Sequence, residues 1–170
     1  MGKGTNRAAF FRGEVDKYSW VDIGSSFLPS ELIAAFLFAQ LENIDDIQNK
    51  RKQIWNYYFD NLKDLETKGY LKLQKFTPGG TNNAHLFYLL TNEHSQQLAL
   101  LEWLNKNGIQ AVFHYLPLHS SPYFTSKHDE RELNRADYFS ENIIRLPFFY
   151  DLKTTDQDVV INKIKEFFTS

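Results

Sequence analysis

At 170 residues, 42% hydrophobic and 24% charged, the chain has the size of one globular domain and enough apolar material to need no disulfide or metal staple. It contains no cysteine, which excludes thiol nucleophiles, zinc–cysteine sites and disulfide frameworks. A formal charge of -2 gives no overall field for nucleic acid, and the longest apolar run, Leu32 to Leu41, is too short to span a bilayer. With no basic-then-apolar leader at the start, the expectation is a cytoplasmic protein with no nucleic-acid or membrane partner.

Residues 1 to 28 show neither a helical nor a strand period, a length of loop that compact domains rarely carry. Yet Phe10, Phe11, Tyr18, Trp20, Ile23 and Phe27 are too many large apolar groups for a solvated tail. Composition favours a segment whose folding partners lie in sequence absent from this chain. Pro29 and Ser30 then signal a helix start, and Leu32, Ala35, Phe36 and Ala39 recur at helical spacing to about Glu42. A second helix is expected from Asp45 to Lys68, with Ile47, Ile54, Tyr58, Leu62 and Leu65 as its apolar stripe and Gly69 as its stop. Lys50, Arg51 and Lys52 within it read as a solvated face.

Strands are expected at Tyr70 to Gln74, Ala84 to Thr91 and Ile109 to His114, with a helix from His94 to Lys106 closed by Gly108. A loop with Pro117 and Pro122 leads to a helix from Glu130 to Asn142 and a short strand at Ile144 to Leu146. Thr154 and Gln157 have capping-box spacing at the start of a last helix, whose buried face holds Val160, Ile164, Phe167 and Phe168. Helices mixed with strands on a small sheet argue an α+β fold.

Few motifs carry chemistry. No G-x-S-x-G elbow, G-x-G-x-x-G or Walker A sequence is present, and the spacing of His114 and His119 is not a metal pattern, so no metal site is expected. Gly24, Ser25 and Ser26 stand just before a helix start, where hydroxyls and free backbone N–H groups suit an anion; a plain turn is the alternative. The segment VFHYLPLHSSPY, Val112 to Tyr123, pins two histidines and two tyrosines between prolines. Either His114 is a core residue and His119 a surface one, or both rings face a ligand.

KGTNR at Lys3 to Arg7, FFRGEVDKYSW at Phe10 to Trp20, DIGSSFLPSELIAAFLFAQLE at Asp22 to Glu42, VFHYLPLH at Val112 to His119 and RLPFFYDL at Arg145 to Leu152 resemble the DegT/DnrJ/EryC1/StrS family of pyridoxal-phosphate (PLP) sugar aminotransferases. The resemblance implies the small C-terminal domain of a fold type I PLP transferase, a small mostly antiparallel sheet with helices behind a long helical connection. Residues 1–28 would be an irregular segment packed on the large domain and partner subunit, 29–68 the connecting helices, and 69–170 the small domain.

It also implies a homodimer with shared active sites, taking glutamate and a dTDP-keto-sugar and using PLP as electron sink. The Schiff-base lysine would lie upstream, since Lys3 belongs to the motif that follows it, so no catalytic residue falls in this chain. Ser26 stands where many relatives have the Asn of a G-Y-N motif that reaches the cofactor phosphate, with Ser25 and Gly24 sharing the role. Leu28 replaces the usual basic residue nearby. Arg12 is implied as a ligand of the sugar-nucleotide phosphate, and His119 as a residue beside the sugar nucleotide with His114 and Tyr115 as neighbours. Two alternatives remain: a non-catalytic sugar-nucleotide-binding or dimerisation module, and a dehydratase branch in which histidine replaces the lysine.

Overall fold

The computed structural model describes residues 6–16, 21, 23 and 29–169. Its contacts divide the chain into Met1–Ile44 and Asp45–Ser170. In the first unit, α1 (Arg7–Phe11) is a single turn that the sequence period does not announce. Its carbonyls are taken by the amides of Arg12, Gly13 and Glu14, and the Phe10 and Phe11 rings meet edge to face at 5.5 Å. Tyr18, Trp20 and Phe27 lie outside the described residues.

Helix α2 (Glu31–Glu42) starts as the sequence predicts: Ser30 is the N-cap, its hydroxyl accepting from the Ile33 amide, and Glu31 sits in the first turn. Apolar residues occupy every side of it and none is buried; Leu32, Phe36 and Phe38 are 84%, 72% and 63% exposed. A helix apolar all round is one that proteins ordinarily bury.

The second unit is built on α3 (Ile44–Thr67), whose stripe of Ile54, Trp55, Tyr58, Leu62 and Leu65 is buried while Ile47 is half-buried. At its end Gly69, at φ 78°, lets the chain turn left-handed so that the Tyr70 amide returns to the Leu65 carbonyl at 3.0 Å. Three short strands follow, β1 (Lys72–Leu73), β2 (Tyr88–Leu90) and β3 (Ile143–Arg145), forming an antiparallel sheet in that order. Leu73 pairs with Leu89 and Leu89 with Ile144. These three side chains face α3, α4 (His94–Lys106) and α6 (Thr154–Thr169), and close a core with Leu100, Leu104, Ile161 and Ile164. Within it Trp55 stacks on Phe59, and Phe87 lies tilted against Trp55 and Tyr58, with centroids 5.0 to 5.4 Å apart. Full burial of a ring such as Phe87 contributes about 3 kcal/mol. The result is an α+β unit, as the element pattern predicts.

The strands are shorter than expected for identifiable reasons. Ala84 adopts φ 49°, and Arg51 donates to the carbonyls of Ala84 (2.9 Å) and His85, which removes both residues from the β2 ladder. Arg51 also lies 5.1 Å from the Phe148 ring centroid, so it is a structural clamp and not part of a solvated face. The expected strand from Ile109 to His114 is reduced to one bridge, Val112 to Arg145, because β3 is too short to pair further. Glu130, at φ 60°, delays the following helix, α5, to Asn134–Asn142. No capping box forms at α6: Gln157 is buried, and its amide donates instead to the Ile54 carbonyl at 2.9 Å. Among the described residues no helix is long and apolar enough to cross a membrane.

Candidate functional site

The loop after Val112 holds itself in shape. The hydroxyls of Ser120, Ser121 and Thr125 donate to the carbonyls of Pro117, Leu118 and Ser121 at 2.7 to 3.1 Å, around two single turns of 3-10 helix at Leu118–Ser120 and Thr125–Lys127. This frame points ring side chains into a pocket of about 400 Å³ between the loop and the start of α5. Its walls are apolar at Pro117, Leu118, Phe124, Leu133 and Ala136, and polar where His119 and His128 enter.

His119 is the best-anchored of these groups. Its Nε2 lies 2.9 Å from Asp137 Oδ1, and its side chain is only 17% exposed. The His128 ring lies 5.3 Å away, its Nδ1 3.3 Å from Asp129, which also meets Arg131 at 3.5 Å. Lys127 is turned aside, Nζ 3.7 Å from the Tyr123 ring centroid.

The sequence-predicted residues are dispersed. His114 and Tyr115 meet edge to face at 5.0 Å, and His114 lines a second pocket of about 250 Å³ with Ile143 and Ser140. The two pockets share Pro117 and Ala136, so His114 and His119 stand on adjoining cavities. Tyr115 is 82% exposed. In the first unit, Arg12 is engaged by Glu14 through two bonds of 2.6 and 3.0 Å, so a phosphate would have to displace that carboxylate. The pairing holds Arg12 above and Glu14 below their ordinary pKa values. Gly24, Ser25 and Ser26 lie outside the described residues.

Sequence reasoning missed Asp137 and His128. Asp137 falls inside the helix expected from Glu130 and reads there as one more solvated polar residue; in the structure it sits in the first turn of α5. His128 is embedded in SKHDERE, which reads as solvated although the side chain is 10% exposed. Among the described residues no three metal-ligating side chains converge.

A three-stranded antiparallel sheet backed by helices, behind a long connecting helix, is the small domain of a fold type I aminotransferase. Residues 2–165 match the DegT/DnrJ/EryC1/StrS aminotransferase family, and the chain belongs to it. Among solved structures it is similar to S. venezuelae DesV, crystallised with a ketimine intermediate, at 25% identity and TM-score 0.81, over 89% of this chain and 40% of that one. A family aminotransferase from Brucella abortus matches at 25% identity and TM-score 0.77, over 96% and 43%. Helicobacter pylori PseC, an aminotransferase of pseudaminic acid biosynthesis, shares the fold at 22% identity and TM-score 0.79, over 98% and 43%. The chain spans about two fifths of the length of these solved relatives.

Enzymes of this family use PLP. The described residues do not by themselves fit that cofactor: in the two pockets the lysine present is Lys127, held over a tyrosine ring, and the Gly-Ser-Ser stretch lies outside them.

Proposed function

We propose that the chain is the C-terminal part of a PLP-dependent aminotransferase that moves an amino group from glutamate to the 4-keto carbon of dTDP-4-keto-6-deoxy-glucose. In kind it resembles dTDP-4-amino-4,6-dideoxygalactose transaminase, serving surface polysaccharide such as enterobacterial common antigen or O-antigen. The observation that carries this reading is the family match from residue 2 to residue 165, with VFHYLPLH leading into an anchored histidine pocket.

In this reading the bond-making lysine lies outside the chain, and the residues here bind and orient. Asp137 holds the His119 ring in place, and the ring hydrogen-bonds a sugar hydroxyl. Pro117, Leu118 and Phe124 shield that contact from water, which strengthens it. Gly24, Ser25 and Ser26 hold cofactor phosphate, Arg12 the sugar-nucleotide phosphate, and His114 and Tyr115 flank the sugar. The enzyme is a cytoplasmic homodimer with shared sites.

Two assays on the purified chain test this. Calorimetric titration with a dTDP-sugar should show saturable binding that weakens about tenfold in His119→Ala, the loss of one buried hydrogen bond. Amine formation from glutamate and the keto-sugar should be absent. Transfer by the 170-residue chain would refute the placement of the lysine, and no heat of binding would refute the sugar site.

A further inference from the structure

His119 is not alone in the loop pocket. His128 stands where the 3-10 turn Thr125–Lys127 opens into extended chain, at φ -79° and ψ 144°. Its neighbours Lys127, Asp129 and Glu130 are exposed, yet its own side chain is only 10% exposed. Phe124 meets the His128 ring edge to face at 6.2 Å, and the His119 ring lies tilted 5.3 Å away, so packing fixes the ring from two sides.

The two rings are held by opposite nitrogens. His119 Nε2 lies 2.9 Å from Asp137, and His128 Nδ1 lies 3.3 Å from Asp129. That leaves Nδ1 of His119 and Nε2 of His128, neither of which has a hydrogen-bond partner among the described residues. Unlike Nδ1 of His114, neither is enclosed by the chain's own atoms, and both belong to side chains that line the pocket. A polar atom in such a setting is poorly satisfied until something hydrogen-bonds to it.

The surroundings decide what that is. A carboxylate already stands beside each ring, Arg131 is spent on Asp129 at 3.5 Å, and Lys127 lies over the Tyr123 ring, so the pocket has no uncommitted cation for an anionic ligand. A hydroxyl both donates and accepts, and so suits either ring nitrogen. The apolar walls at Pro117, Leu118, Phe124, Leu133 and Ala136 suit the C–H faces of a pyranose. At about 400 Å³ the cavity has room for one sugar ring and lies near the lower end of ligand pockets, which span about 300 to 1,000 Å³.

We propose that His119 and His128 together hold two hydroxyl groups on neighbouring carbons of one sugar ring, which makes His128 a specificity-determining residue. A 4-keto-6-deoxy-hexose linked through C1 keeps hydroxyls only at C2 and C3, and these are neighbours. That identification rests on the aminotransferase reading and its keto-sugar; the pair of free ring nitrogens does not.

The test is calorimetric titration of the 170-residue chain with dTDP-glucose, with its 2-deoxy and 3-deoxy analogues, and with dTDP alone. His128→Phe, His128→Gln and His119→Ala are run alongside. Each deoxy analogue should bind the parent chain about tenfold more weakly than dTDP-glucose, the loss of one hydrogen bond. His128→Phe keeps a packed ring and loses both nitrogens. It should bind dTDP-glucose about tenfold more weakly, leave dTDP unchanged, and no longer discriminate against one of the two deoxy analogues. His119→Ala should lose discrimination against the other. His128→Gln, whose amide still hydrogen-bonds, should fall between parent and His128→Phe. A parent chain that binds either deoxy analogue as tightly as dTDP-glucose overturns the proposal, whatever the variants do. So does a His128→Phe chain that keeps both discriminations, or that weakens dTDP as much as dTDP-glucose, the mark of a structural role or a nucleotide contact. Those outcomes leave the sugar contact of His119 standing, whereas a parent chain that does not bind dTDP-glucose removes that reading and this inference with it.

Discussion

Replacing Tyr58 by phenylalanine removes one oxygen from the centre of the second unit and should change both the stability of the chain and its dependence on pH. The ring is 0% exposed, and its hydroxyl donates to the Pro147 carbonyl at 3.1 Å, joining the middle of α3 to the turn after β3. Phenylalanine fills the same space, so no cavity term enters. The cost is the bond itself and an unsatisfied, half-buried carbonyl, about 1 to 1.5 kcal/mol near neutral pH. For a chain of this length that is a fall of about 2 to 6 °C in melting temperature.

The pH dependence is sharper. Burial, and secondarily Asp156, push the Tyr58 phenol well above its ordinary value of 10.0. Because the folded value lies above the unfolded one, the neutral phenol's contribution is complete below pH 10.0 and drains away as pH rises further, when only the unfolded chain ionises. The loss runs at about 1.4 kcal/mol per pH unit. Phenylalanine has no such loss, so the two chains should become equally stable near about pH 11 and cross above it. Urea unfolding of both proteins between neutral pH and that point measures the difference directly. A difference that stays constant across the range would refute the enclosed phenol, and no difference at neutral pH would refute the contribution of the bond.

Other perturbations probe other joints. Gln97→Leu deprives the Ile143 and Ser140 carbonyls of a buried donor at 2.9 and 3.3 Å. It should cost about 2 kcal/mol in urea unfolding, with faster amide exchange across α5 and β3. Arg51→Lys cannot reproduce two carbonyl bonds and a stacked guanidinium, and should lower stability by about 2 kcal/mol; a melt equal to the parent's would show that the clamp contributes nothing. Gly69→Ala forces a side chain into left-handed backbone at φ 78° and should cost about 1 kcal/mol by the same assay, although nothing crowds the site.

The helices were legible because their signals are local. Ser30, Gly69 and Gly108 mark ends that the structure places within a residue or two, and the stripe from Ile54 to Leu65 needs only its own period. The strands depend on partners, and the sequence does not reveal that Arg51 takes the carbonyls of Ala84 and His85. Nor could it show the short turn at Arg7–Phe11 or the left-handed Glu130 that shortens α5. The same division holds at the site. His119 was visible through its motif, whereas Asp137 and His128 acquire meaning only from what lies across the loop from them.

The surface of α2 couples concentration to stability. With Leu32, Ile33, Phe36, Leu37 and Phe38 all more than half exposed, an uncovered copy of this helix gains by meeting another apolar surface, including a second α2. Any such association draws on the folded population, so melting temperature should rise with protein concentration wherever partners bind the folded form and fall wherever they capture the unfolded one. For this chain, a single melting temperature quoted without a concentration would describe the solution as much as the fold.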